Sequence, residues 1–171
     1  MLLDLIDLSK LRRAIVYALT LAIVFAVQDL LAARVPLWGV RPMMIPAAVV
    51  AIGLYEGGLW GGFLGLAAGF FFDMGYIEQT VLFTILLAVI GFFAGVLGKY
   101  LLHKGFLSYM ALVLAAMLLL TGAQMIPFLF FTDTRDAAVW KTGLVQILWS
   151  LPWAIPVFFP CRAIASRPLG K

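Results

Sequence analysis

A chain of 171 residues with 65% hydrophobic and 12% charged side chains carries more apolar surface than a soluble domain of that size can bury. Its mean hydropathy of +1.12 excludes intrinsic disorder, and a single cysteine, Cys161, excludes a disulfide scaffold. The net charge of +4 comes without a basic run interleaved with aromatics, so nucleic acid is not an expected partner; the basic residues read as topology signals and lipid-headgroup contacts.

These limits leave an all-α integral membrane protein, a single membrane domain over residues 1–171. Met1–Lys10 alternates Leu2, Leu3, Leu5, Ile6 and Leu8 with Asp4, Asp7 and Lys10, the pattern of a short amphipathic helix on the membrane surface. Its acidic start does not fit a cleavable signal peptide. A first span is expected from Ala14 to about Leu31. Pro46–Tyr55 and Leu59–Phe72 are each shorter than a usual span and are separated by Glu56, Gly57 and Gly58, which predicts a tight or partly re-entrant helical hairpin. Further spans are expected over about Val81–Leu101, Leu107–Phe131 and Ala138–Phe159, the last kinked by Pro152 and Pro156. The whole is a bundle of about six transmembrane helices.

With six spans and the N-terminus inside, eight Lys and Arg residues fall inside and four outside, so both termini are expected in the cytoplasm. Asp73, Glu78, Asp133 and Asp136 then fall on the outer side.

No catalytic, cofactor-binding or metal-ligating set is expected. His103 is the one histidine and sits beside Lys99 and Lys104, as a headgroup-level surface residue would. No second histidine or cysteine exists to complete a zinc site of the usual ligand types. No serine lies in a nucleophile-elbow motif, and no glycine run ends as a nucleotide-binding loop does. Cys161 is expected to pack at the inner interface.

The strongest local pattern is glycine. Gly57, Gly61, Gly65 and Gly69 recur every four residues and share one helix face, nearly bare of side chains; Gly91, Gly95 and Gly98 mark the next span. Such small-residue stripes let helices approach closely in lipid. Packing within the chain is the preferred reading, and docking of a foreign transmembrane helix is the alternative. Asp73 closes the stripe, either as an exposed or capping residue or as an anchor paired with Arg34 or Arg41. Glu56 is expected to be a solvated hairpin tip between Tyr55 and Trp60. Gln28, Asp29, Gln124 and Gln146 lie in apolar segments and either bond across helices or line a pocket. Asp29, Gln79, Gln124 and Gln146, with Trp140, would be the pocket candidates.

The stretch Pro42–Leu101 resembles the rod shape-determining MreD family of bacteria. The resemblance rests on Pro46 opening the second segment, on Tyr55-Glu56-Gly57-Gly58-Leu59-Trp60-Gly61, on the spaced glycines from Gly62 through Gly65 and Gly69 to Asp73, and on the long apolar span with Gly91 and Gly95. It covers about a third of the chain with motifs; the segment Met74–Thr80 is shorter and more acidic than the family's turn. The resemblance implies a non-enzymatic scaffold of the cell-elongation complex in the cytoplasmic membrane, supporting peptidoglycan synthesis and cell shape. It also implies association with MreC, a single-span protein, and through it with MreB and the wall synthases. On that reading the glycine face, with Asp73 fixing register, would bind a partner helix. The same block resembles the substrate-binding S components of energy-coupling factor vitamin transporters, which have a related six-helix form.

Overall fold

The computed structural model describes residues 8–32, 34, 39–75, 81–101, 104–131 and 137–166. The described residues contain six α-helices and no strand: α1 Leu8–Ala32, α2 Ile45–Glu56, α3 Gly58–Gly75, α4 Leu82–Tyr100, α5 Phe106–Phe131 and α6 Ala137–Ser166. Leu8–Lys10 forms the first turn of α1; the rest of the expected surface helix, and Glu78, Gln79, His103, Asp133 and Asp136, lie outside the described residues.

Four helices are long and apolar enough to cross a membrane: α1, α4, α5 and α6, while α2 and α3 are shorter apolar helices. The protein is therefore a helical membrane protein. At 1.5 Å per residue, α2 extends about 18 Å, well short of a hydrocarbon core of about 30 Å.

α2 is the centre of the molecule. Its sequence is apolar all round, and a helix without a polar face has to be buried on every side. Every residue from Ile45 to Leu54 is buried. The other five helices all contact it and close around it in the order α3, α4, α5, α6, α1. Ala47, Ala48, Ala51 and Gly53 keep it thin enough for that, while Val49, Val50 and Ile52 fill the gaps with side chains that lose little rotamer freedom. The core continues through Tyr17, Leu87, Tyr109, Val113, Met117 and Phe158. Outside it lies a belt of exposed apolar side chains, among them Ile23, Phe63, Ile85, Phe93, Leu118, Leu148 and Phe159, as lipid-facing helices require.

Gly57 alone separates α2 from α3. Its φ of +99° is a conformation that side chains disfavour, its N–H donates to the Gly53 carbonyl at 2.9 Å, and its own carbonyl accepts from the Gly61 N–H at 2.9 Å. The expected hairpin is thus one residue tight.

α6 runs unbroken through Pro152, Pro156 and also Pro160. All three prolines lie on its exposed face. On the inward side the Tyr109 hydroxyl donates to the Ala154 carbonyl at 3.0 Å, and the Tyr17 hydroxyl reaches the Cys161 carbonyl at 3.4 Å. The two tyrosines thus tie α5 and α1 to the backbone of α6.

Successive helices alternate in direction, which sorts the charges. Arg12, Arg13, Lys99, Lys104 and Arg162 gather at one end with Glu56; Arg34, Arg41 and Lys141 stand at the other with Asp29 and Asp73.

Candidate functional site

A helix that begins inside a bundle has to find partners in the protein for its first backbone N–H groups, because water does not reach them. Several polar side chains of this apolar chain serve that task. At the start of α2, the Met44 N–H donates to Gln28 Oε1 at 2.7 Å and the Ile45 N–H donates to the same oxygen at 3.1 Å. The Met43 N–H donates to Ser150 Oγ at 2.9 Å, and the Ser150 hydroxyl donates on to the Gln146 carbonyl at 2.6 Å. Pro46 at the next position has no N–H to satisfy. α1 and α6 thereby cap α2 from opposite sides. Gln28, only 6% exposed, follows the cross-helix reading of the sequence. Ser150 was not singled out for this role by any motif; its signal was the coincidence of a hydroxyl in an apolar helix with a neighbouring helix start.

At the other end of α2 the helix dipole favours cations. Lys104 Nζ donates to the Tyr55 carbonyl at 3.1 Å. Glu56 is disfavoured there, and Arg13 Nη1 offsets it at 3.3 Å from Glu56 Oε1. The two side chains are 25% and 16% exposed, which corrects the expected solvated tip: Glu56 is a half-buried ion pair tying α2 to α1. A small cavity of about 10 Å³ lined by Arg13, Tyr17, Glu56 and Trp60 lies beside the pair. Next to it Phe158 packs on Tyr109 and Phe106 at centroid distances of 5.0 and 5.2 Å, with the Arg162 guanidinium over its ring at 5.9 Å.

The glycine residues meet at one junction. A methyl group built on Gly61 would fall on the Gly91 carbonyl of α4 and the Gly53 Cα of α2; one on Gly91 would fall on the Gly61 carbonyl and Val49. Gly65 is closed by the Leu87 carbonyl, Gly69 by Phe83 and Thr84, and Gly95 by Gly57 and Gly58. The face that the sequence offered to a neighbouring or a foreign helix is filled by α4 of the same chain. Gly57 differs, since nothing crowds it and its role is its backbone conformation. Gly62 faces only ordinary contacts, the nearest being Phe92 Cβ at 3.4 Å.

Asp73 at the end of α3 caps α4. Its Oδ2 accepts from the Thr84 N–H at 2.9 Å and from the Thr84 hydroxyl at 2.6 Å. Thr84 is the third residue of α4, where an N-cap side chain normally bonds, and the actual N-cap, Val81, cannot do so. The anchor pairing with Arg34 or Arg41 is not made; the partner is Thr84. Asp73 Oδ1 is buried without a partner among the described residues. Asp73→Ala should lower stability by about 1–2 kcal/mol, with Asp73→Asn, which keeps an acceptor, recovering most of it. The loss is read from unfolding in mixed micelles, and an Asp73→Ala variant as stable as the unsubstituted chain would show that the cap contributes nothing.

The pocket candidates are not gathered into any described cavity. Asp29 is exposed on α1, Gln124 and Gln146 are partly buried on α5 and α6, and Trp140 is 56% exposed. Two apolar cavities lie instead between α1 and α3, of about 280 and 630 Å³, and they share Ala18 and Leu64, so they form one crevice. Among the described residues no cluster of three metal-ligating side chains occurs. Cys161 is a buried free thiol.

No protein-family model, no curated protein and no solved structure matches the chain.

Proposed function

We propose that this protein is a non-enzymatic scaffold subunit of the MreD kind, held in the bacterial cytoplasmic membrane and working in cell elongation through an MreC-like single-span partner. One observation carries the reading: the block on which the resemblance rests, Tyr55 to Asp73 with Gly91 and Gly95, is the rigid kernel of the bundle, closed by backbone-to-backbone packing of α2, α3 and α4. A scaffold needs such a kernel to hold its outer surface in one shape. The placement of polar groups is in keeping with it, since Gln28, Ser150, Asp73 and Glu56 each serve a helix end or an ion pair.

On this reading the chain passes the membrane six times. α2 and its lead-in from Arg41 make their pass inside the protein, where a short segment is tolerated because helices rather than lipid surround it. The end with Arg12, Arg13, Lys99, Lys104 and Arg162 faces the cytoplasm by the positive-inside rule. The partner meets a surface other than the glycine face, which α4 occupies.

The test is a mild-detergent pull-down of the tagged protein from its native bacterium, read by mass spectrometry. Recovery of an MreC-type protein with wall synthases is the expected result. Recovery of paired ABC-type ATPases with a coupling membrane subunit would replace the reading with that of an S component of a vitamin transporter.

A further inference from the structure

The crevice between α1 and α3 opens through the wall of the bundle, and nothing in the scaffold reading uses it. It is broad at the end where Trp60 and Ala14 line it, with about 630 Å³, and narrows to about 280 Å³ toward Phe25 and Phe71. Its floor reaches Ile45 of the central helix, which is 1% exposed. No charged side chain lines either part.

Shape restricts the occupant. Where α1 and α3 touch they lie within 8 Å between Cα atoms, so at those points a helix, about 10 Å across, cannot enter between them. A single hydrocarbon chain can. Charge restricts it further. The broad mouth opens at the end of the bundle where Arg12, Arg13, Lys99, Lys104 and Arg162 are opposed by one acid among the described residues, Glu56. A headgroup lying there is in a positive field. Trp60, at the mouth, belongs at the level of lipid headgroups.

We infer that the α1–α3 crevice is a binding site for an anionic phospholipid, one acyl chain running inward past Ala18 to Ile45 and the phosphate lying at the basic end. The bound chain closes the seam that α1 and α3 leave open and so completes the shell around α2. The site is independent of the scaffold reading.

The experiment equilibrates the full chain in nanodiscs of equimolar dioleoyl phosphatidylglycerol and dioleoyl phosphatidylcholine, then strips it in detergent and counts retained lipids by native mass spectrometry. The unsubstituted chain is expected to retain phosphatidylglycerol at least fivefold over phosphatidylcholine. Ala18→Phe, which fills the crevice where its two parts join, should cut the retained lipid at least tenfold, and Ala18→Ser should not. Equal retention of the two lipids by the unsubstituted chain would overturn the inference, and that comparison stands even if Ala18→Phe does not fold. Undiminished retention by a folded Ala18→Phe would overturn it too. So would a dimer of the unsubstituted chain that Ala18→Phe turns into monomer, because the occupant would then be a second copy.

Discussion

Gly91→Ala is expected to destabilise the fold by about 2–4 kcal/mol, although it adds one methyl group and raises local helix propensity. The methyl has no place to go. It would enter the Gly61 carbonyl on α3 and the Val49 side chain on α2, and of these only Val49 is a side chain that can move. Relief would require α4 to back away from two helices at once, and the dispersion contacts along the whole α3–α4 interface would thin with it. Overpacking usually costs about 1–3 kcal/mol because flexible side chains absorb part of the strain; here backbone meets backbone. The control lies on α3, beside its glycine stripe. Gly62→Ala meets Phe92 Cβ at 3.4 Å, an ordinary contact. It should be neutral or stabilising by up to about 1 kcal/mol, as replacing a mid-helix glycine normally is. Stepwise unfolding in mixed micelles of the two variants decides the matter, and equal effects would show that the glycine junction is looser than described. Substituting Gly61 or Gly65 by leucine is for the same reason no probe of partner docking. Loss of a partner would report collapse of the kernel rather than a blocked surface.

Gln28→Met should cost about 2–4 kcal/mol, because it strands two buried backbone N–H groups for the loss of one side-chain oxygen. The side chains are close in size, so packing is nearly held constant. Both Met44 and Ile45 donate to that single oxygen, and both residues are about 2% exposed or less. The unfolded chain within a membrane also finds partners for such groups, which keeps the figure below the full desolvation cost. Gln28→Glu retains an acceptor at the positive end of a helix dipole and should lose less than Gln28→Met. Ser150→Ala strands only Met43 and should cost about 1 kcal/mol. The readout is again unfolding in mixed micelles, with hydrogen exchange at Met44 and Ile45 as the local reporter. Unchanged exchange in Gln28→Met would mean that α2 does not depend on α1 for its cap.

The amino-acid sequence by itself determined the class of the protein, its six helical segments and a break between the second and third within Glu56–Gly58. Apolar run length and helix-breaking glycine and proline are local properties, and they need no knowledge of what lies across the bundle. It also determined that the glycine stripe would be a close helix contact, since a face without side chains has that use in lipid. Only the tertiary structure decided which helix fills the stripe. It also decided that α2, a segment too short to span, is the centre of the bundle. The ends of that helix explain why. Glu56 reads as a solvated tip until Arg13, 43 residues away, is brought beside it. Asp73 reads either as a capping residue or as an anchor for arginine until Thr84 presents the open start of α4 and the capping role is the one it fills. In water such terminal groups are satisfied by solvent, and a local pattern is a fair guide to them. Inside a membrane bundle a helix end cannot count on solvent, so the roles of Gln28, Glu56 and Asp73 are fixed by what folding brings beside them from another helix and not by their neighbours in the chain.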